Sequence, residues 1–325
     1  MESVSWLQIV TYLFLALVII AFVMQLVRYV KMPTHLRWEL YPLAGEKKRQ
    51  GGGSYLEESE WWTKPPEGKS LLGEIKFIGE EILLFKEYYR HNRDYWYLVY
   101  PFHIGVFLFV AFLALLLVGA LTMVAGMVVS TESANIWGRI VYYLTLVTGG
   151  AGLTLGALGC IGLLIRRAID KNLKPYTRRI DYLNLLFVLV VFVSGFFSWI
   201  IADRIFDSGR EYVKSLITFS PAGSLEPLMA VHIVLLLLIA AYIPFTNMMH
   251  FFAKSFAYHM VRWDDVPNLR GSKLEKGMGP LLSQPLSWSA PHIQPIKRWS
   301  DTAQEIVLPE TTEEHTPRIR KGVSS

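Results

Sequence analysis

Three histidines fall inside apolar runs long enough to cross a membrane: His103, His232 and His250. An ionisable side chain in that environment is costly and marks a functional site by default. Neutral imidazole is the usual axial ligand of haem iron in membrane electron carriers. His232 and His250 share the stretch LMAVHIVLLLLIAAYIPFTNMMHFF, Leu228 to Phe252, which has the length of a membrane-spanning helix. They stand eighteen positions apart, which at about 100° and about 1.5 Å per residue puts both on one face, roughly 27 Å apart along the axis. Pro244 lies between them, removes one backbone hydrogen bond and should bend that helix.

The chain around these histidines is that of an integral membrane protein. Its 325 residues are 52% hydrophobic, and its mean hydropathy is +0.33. The single cysteine, Cys160, excludes a disulfide framework, a cysteine-ligated cluster or the CxxCH attachment of a c-type haem. Cys160 reads as a small buried packing residue. Any b-type haem here is held without covalent attachment, and any iron–sulfur chemistry must belong to a partner.

The fold class expected is an all-α integral membrane protein, a bundle of five transmembrane helices with a cytoplasmic loop and an extended carboxy-terminal tail. The spans read as Trp6 to Val27, about Tyr97 to Val128, about Trp137 to Ile165, about Tyr182 to Ala202, and Leu228 to Phe252. The first has no cleavage site after it, so it reads as a transmembrane helix and not a signal peptide. Residues 1–30 hold that helix, 31–96 a cytoplasmic loop, 97–255 a four-helix haem-binding domain, and 256–325 a tail that docks a partner. Within the loop, Leu71, Ile75, Ile78, Ile82, Phe85 and Tyr89 recur at helical spacing, which predicts an amphipathic helix from Ser70 to Arg90. The linker from Asp203 to Glu226 predicts a short surface helix. The tail, with Trp and Pro scattered through it, reads as non-globular.

Lysine and arginine sort by side. Segments 31–98, 166–179 and 253–321 carry eleven, six and ten, whereas 1–5, 129–139 and 203–227 together carry four. The positive-inside rule then puts the amino terminus outside and the carboxy terminus inside. The net charge of +5 follows from that topology, and no nucleic-acid signature accompanies it. Gly149, Gly152, Gly156 and Gly159 form a small-residue stripe on the third span, suited to close helix packing or to the approach of a flat macrocycle.

With that topology the second span enters from the cytoplasm and meets His103 about one and a half turns in, while the fifth reaches His250 just before leaving. The two imidazoles are expected at similar depth on antiparallel helices, as a bis-histidine haem requires. His232 lies near the outer surface. The window from Leu113 to Leu121 that should oppose it holds only Leu, Ala, Val and Gly, and Met123 is the first side chain there able to ligate iron. His35, His91, His259, His292 and His315 fall in cytoplasmic segments, where solvated or partner-facing roles are expected.

At these residues the chain resembles a known family. PFHIGV around His103, the pair AVHIVL and NMMHFF, and the connector LLIRRAIDKNLKPYTRRIDYLNLL are similar to the gamma subunit of respiratory nitrate reductase. MPTHLRWELYPL, GGGSYLEESEWW, FAYHMVRWDDVP and WSAPHIQPIKRW resemble one branch of it more closely. That branch is the cytochrome b subunit of the heterodisulfide-reductase-like menaquinol oxidoreductases of the Dsr, Hme and Tmc types, found in sulfate reduction.

The resemblance implies a subunit in the cell membrane that exchanges electrons between menaquinol and a cytoplasmic iron–sulfur partner of the HdrD-like kind. A periplasmic multihaem cytochrome c and further membrane subunits are implied as additional partners. It implies haem b on His103 and His250, and a second haem with His232 as one ligand, where Leu113 stands in place of the other histidine. It also implies a quinol site near the outer surface, for which His232, Glu132, Arg139, Asp203, Arg204 and Glu226 are candidates. Docking of the partner falls to the basic connector, the amphipathic stretch and the tail, with Trp61, Trp62, Trp263, Trp288 and Trp299 as interface aromatics. Two other classes stay open on the residues alone. A proton- or ion-conducting subunit should bury acidic residues mid-span, and a non-redox scaffold has no use for depth-matched histidines.

Overall fold

The structure is a computed structural model that describes residues 5–31, 71–251, 270–271, 273–289 and 296–304. Five helical segments are long and apolar enough to cross a membrane: Trp6–Val30, Arg93–Val124, Ile136–Ile169, Arg179–Ala202 and Pro227–Phe245. They make the protein a multi-pass, all-α membrane bundle. Their outward faces carry exposed Ile19, Val147, Leu158 and Leu183, which is where lipid supplies the apolar contact.

Helix α1 (Trp6–Val30) opens with a capping box, Ser5 and Gln8 each accepting from the other's backbone. Gln8 is fully buried. Its amide donates to Ser215 Oγ at 3.1 Å and the Ser220 carbonyl at 2.8 Å, and its oxygen accepts from Ala222 N at 3.2 Å. These bonds, with Tyr12 Oη donating to the Leu216 carbonyl at 2.8 Å, tie α1 to the segment between the fourth and fifth spans. At its other end Gln25 donates to the carbonyl of Pro244 at 2.5 Å.

Two shorter helices follow, α2 (Leu71–Leu84) and α3 (Lys86–His91). The single amphipathic helix expected here is broken at Phe85, whose φ of 51° and ψ of 47° are left-handed. Lys86 and Glu80 pair across the break, and the ammonium holds the Glu80 carboxyl below its usual range.

The centre of the bundle is the pair α4 (Arg93–Val124) and α5 (Ile136–Ile169). In lipid, apolar burial does not drive helices together, so close approach at small residues must. A Cβ on Gly152 would lie 2.8 Å from Phe109 N, one on Gly159 2.5 Å from Phe102 Cα, and one on Gly105 2.3 Å from Gly156 N. Gly149 and Gly156 make room for the rings of Phe206, Phe112 and Phe192. The glycine stripe is therefore filled by α4 and aromatic rings, which is the packing role. Cys160 is wholly buried in the same core, beside Phe109, Leu153 and Phe192.

Helix α6 (Arg179–Phe197) ends in a π-helical turn, Ser198–Ala202. Helix α7 (Asp207–Thr218) then packs on α4, is hydrogen-bonded to α1 and is more than a surface helix. Its Arg210 is completely buried. The stem of Arg210 fills the notch at Gly119, its guanidinium reaches Asp207 at 3.3 Å, and it lies 5.7 Å over the Tyr142 ring.

The fifth span is not one continuous helix. Helix α8 (Pro227–Tyr242) stops where Pro244 enters a 3₁₀ turn, Ile243–Phe245. Thr246 is extended, and a second 3₁₀ turn, Asn247–Met249, carries the chain to His250. The bend expected at Pro244 is thus a full break, and His232 and His250 do not share one helix face. Helix α4 also ends earlier than expected, at Val124, with Gly126 at a φ of 81°.

The tail holds local structure where it is described. Helices α9 (Lys273–Leu282) and α10 (Trp299–Gln304) flank an antiparallel bridge between Pro285 and Arg298. Leu286 is buried there and the Trp288 and Trp299 rings meet at 6.2 Å, so the tail is not wholly non-globular. His35, His259, His292, His315, Trp61, Trp62 and Trp263 lie outside the described residues.

Candidate functional site: paired histidines and an apolar cavity

His103 projects from the first third of α4, and His250 arrives from the segment beyond the Pro244 break. Their ring centroids are 6.2 Å apart and their planes are crossed at 80°. His103 Nδ1 lies 2.8 Å from the Val99 carbonyl. His250 Nδ1 lies 3.3 Å from the Asn247 carbonyl. A carbonyl only accepts, so each Nδ1 is the donor, and Nε2 is the nitrogen left for a metal in the neutral ring. That is the tautomer a metal-binding imidazole needs, fixed by the bond on its other nitrogen. Two imidazoles that share one metal at about 2 Å per nitrogen hold their centroids roughly 6 Å apart.

The position of His250 depends on a polar chain that crosses the bundle. Tyr242 Oη donates to Asn184 Oδ1 at 2.7 Å, and Asn184 Nδ2 donates to Asn247 Oδ1 at 3.0 Å. Asn247 Nδ2 in turn reaches Asp181 Oδ1 at 3.4 Å. Buried Asn184 thus holds the 3₁₀ turn that presents His250. The Gln25 bond to the Pro244 carbonyl satisfies an acceptor that the broken helix leaves open.

His232 sits elsewhere, level with the core of the bundle and 6.4 Å from the Phe109 ring. Ser194 Oγ donates to the Val191 carbonyl at 2.9 Å, so at 3.0 Å it accepts from His232 Nδ1. Nε2 of His232 is again the nitrogen left open. Gly195 is needed there, since a Cβ would come within 2.7 Å of the imidazole Cε1 and 3.0 Å of Nε2.

His232 lines a cavity of about 270 Å³ whose other walls include Leu113, Leu116, Trp199, Asp203 and Tyr212. Leu113 lies on the wall of this space. Met123 does not: it packs with Val129, Val141 and Tyr142. Asp203 is buried, and both its oxygens are engaged as the cap of α7, by Asp207 N at 2.8 Å and Gly209 N at 3.0 Å. Of the remaining candidates Glu132, Arg139, Arg204 and Glu226, none lines the cavity and all four are exposed. His91 ends α3 and is exposed.

Sequence reasoning missed two further polar groups that line the cavity. Thr11 Oγ1 and Tyr212 Oη share a hydrogen bond of 2.7 Å. Burial pushes the Tyr212 phenol above its ordinary range, with the Thr11 hydroxyl pulling the other way, so it is a neutral donor at physiological pH. The amphipathic pattern of α7 was the available signal, because its buried side had to face something.

Among the described residues no group of three or more His, Cys, Asp or Glu is placed to hold a bare metal ion. A macrocycle that brings four ligands of its own needs only the crossed pair. The nitrate reductase gamma subunit family matches residues 91–266, more than half of the chain. The chain belongs to that family. Nitrate reductase gamma subunits are membrane cytochromes b that transfer electrons within oxidoreductase complexes and bind haem b. They work beside catalytic subunits at the membrane. His103, His232 and His250 all lie inside the matched region, whereas α2 and Phe85 lie before it. No match is found among curated proteins.

Proposed function

We propose that His103 and His250 would hold a b-type haem, and that the protein passes electrons between menaquinol and a cytoplasmic iron–sulfur subunit. The observation that carries this reading is the crossed imidazole pair at 6.2 Å with both Nε2 atoms open. A haem held there supplies one-electron redox chemistry to a quinol that gives up two electrons and two protons.

The chain's own residues do the rest. The apolar walls of the cavity suit a quinol ring and its isoprenoid tail, and its few polar groups suit the ring hydroxyls. The open Nε2 of His232 accepts one hydroxyl proton, the Thr11–Tyr212 pair orients the opposite oxygen, and the second proton leaves to the water on the outer face. With the amino terminus outside, as the distribution of Lys and Arg requires, the cavity lies toward the outer face and His103 toward the cytoplasm. The partner is then a heterodisulfide-reductase-like iron–sulfur subunit in a sulfur-metabolism complex, docked on the basic connector, the α2–α3 corner and the tail.

A second reading of the cavity is favoured by the tautomer of His232, which equals that of the other two. A haem held by His232 alone, opposite Leu113, would be five-coordinate. Titration of the purified protein with menaquinol, followed optically, tests the first reading. Reduction that His232→Ala slows while the low-spin spectrum stays supports a quinol role for His232. Loss of a high-spin band in the same variant favours the second reading.

A further inference from the structure

The α2–α3 corner precedes the region matched by the family, yet it delivers a side chain to the histidine pair. Phe85 takes a left-handed backbone conformation, φ 51° and ψ 47°. A bulky residue enters that region at an energetic cost and stays there where its surroundings fix it. What fixes it is α4. The Phe85 ring centroid lies 4.7 Å from that of His103, tilted by 47°. It also lies 6.5 Å from the rings of Tyr100 and Phe107. The carbonyl just before it, that of Leu84, accepts from Trp96 Nε1 at 3.0 Å, and Trp96 stacks on Tyr100 at 4.4 Å. Trp96, Tyr100, His103 and Phe107 recur at spacings of four, three and four, so they form one stripe along α4.

We propose that Phe85 is a positioning residue for His103. Resting on the haem reading above, the inference is that the corner sets the plane of this imidazole and shields that flank of the site from water. The Val99 carbonyl fixes where Nδ1 points, and the Phe85 ring fixes the tilt that a single hydrogen bond leaves free. Trp96 holds the corner in place through its indole N–H.

The decisive variant is Phe85→Gly. Glycine suits the left-handed backbone, so the corner keeps its shape while the ring is removed. In membranes holding the full chain, F85G should retain one low-spin haem per chain. Its ferric EPR signal should shift, because the angle between imidazole planes changes. Its midpoint potential should fall, because water entering beside His103 favours the more highly charged oxidised state. Phe85→Leu should restore much of the potential by restoring apolar cover, and Trp96→Phe should move both readouts in the direction of F85G. An F85G protein with the wild-type EPR signal and potential would overturn the proposal. Should F85G hold no haem, Trp96→Phe, which frees the corner from α4, gives the same comparison, and wild-type readouts in that variant would overturn the proposal.

Absence of haem from the wild type would count against the haem reading alone. Phe85 is then decided by the reaction of His103 with an imidazole-acylating reagent, read by mass spectrometry. Faster modification in F85G supports the proposal, and an unchanged rate overturns it.

Discussion

His103 and His250, 147 positions apart in the sequence, face each other with ring centroids 6.2 Å apart and planes crossed at 80°. Crossed imidazole planes leave two iron d orbitals nearly degenerate. A low-spin ferric haem held by this pair should therefore show an EPR signal displaced to low field, unlike that of parallel ligands. A signal typical of parallel imidazoles would mean that the pair rearranges.

His103→Ala and His250→Ala should each remove the low-spin b-type spectrum. Neither should prevent the chain from entering the membrane, since neither side chain fills the core around Phe109, Leu153 and Phe192. The check is the α-band of the reduced-minus-oxidised spectrum against the amount of protein in the membrane. A full α-band in either variant would remove that histidine from the ligand set.

Asn247→Ala loses the bonds to Asn184 and Asp181, each worth about 1 kcal/mol. The effect should fall on His250, three residues on. Haem occupancy after detergent extraction should be lower than wild type while the thermal unfolding midpoint changes little. Equal occupancy would show that the turn holds without this network.

Leu113→His puts a second imidazole on the wall of the cavity that His232 lines. A second low-spin component should then appear in EPR when haem is supplied, and turnover with menaquinol should fall as the cavity fills. His232→Ala should lower that turnover by about 10²–10⁴-fold, the usual contribution of a positioned base.

Gly159→Val forces a branched side chain against Phe102 Cα, which a Cβ alone would meet at 2.5 Å. Overpacking of this kind costs about 1–3 kcal/mol or more. A lower unfolding temperature is expected, together with weaker haem retention, because Phe102 adjoins His103. Gly79→Val, at a glycine with open space around it, is the control and should change neither.

The spans were legible because hydropathy and length are properties of single segments. The pairing of His103 with His250 was legible too, through antiparallel depth, although the straight-helix argument for it fails at Pro244. A proline announces a break but not where the chain goes next. That direction is set by Asn184 and Asn247, 63 positions apart, and no local pattern encodes it. Phe85 shows the reverse case: no glycine or proline marks the corner, and helical periodicity runs straight through it. The break comes from contacts with α4. Arg210 falls in the linker expected to hold a surface helix, and only the notch at Gly119 and the ring of Tyr142 reveal why it is buried.

The central claim is tested most directly by reduced-minus-oxidised and EPR spectra of the purified protein, with a pyridine haemochrome count per chain, for wild type and His103→Ala. The account predicts a low-spin b-type haem in the wild type, with crossed-ligand EPR, that disappears in the variant. A wild-type protein without haem, or a variant that keeps the low-spin signal, would contradict it.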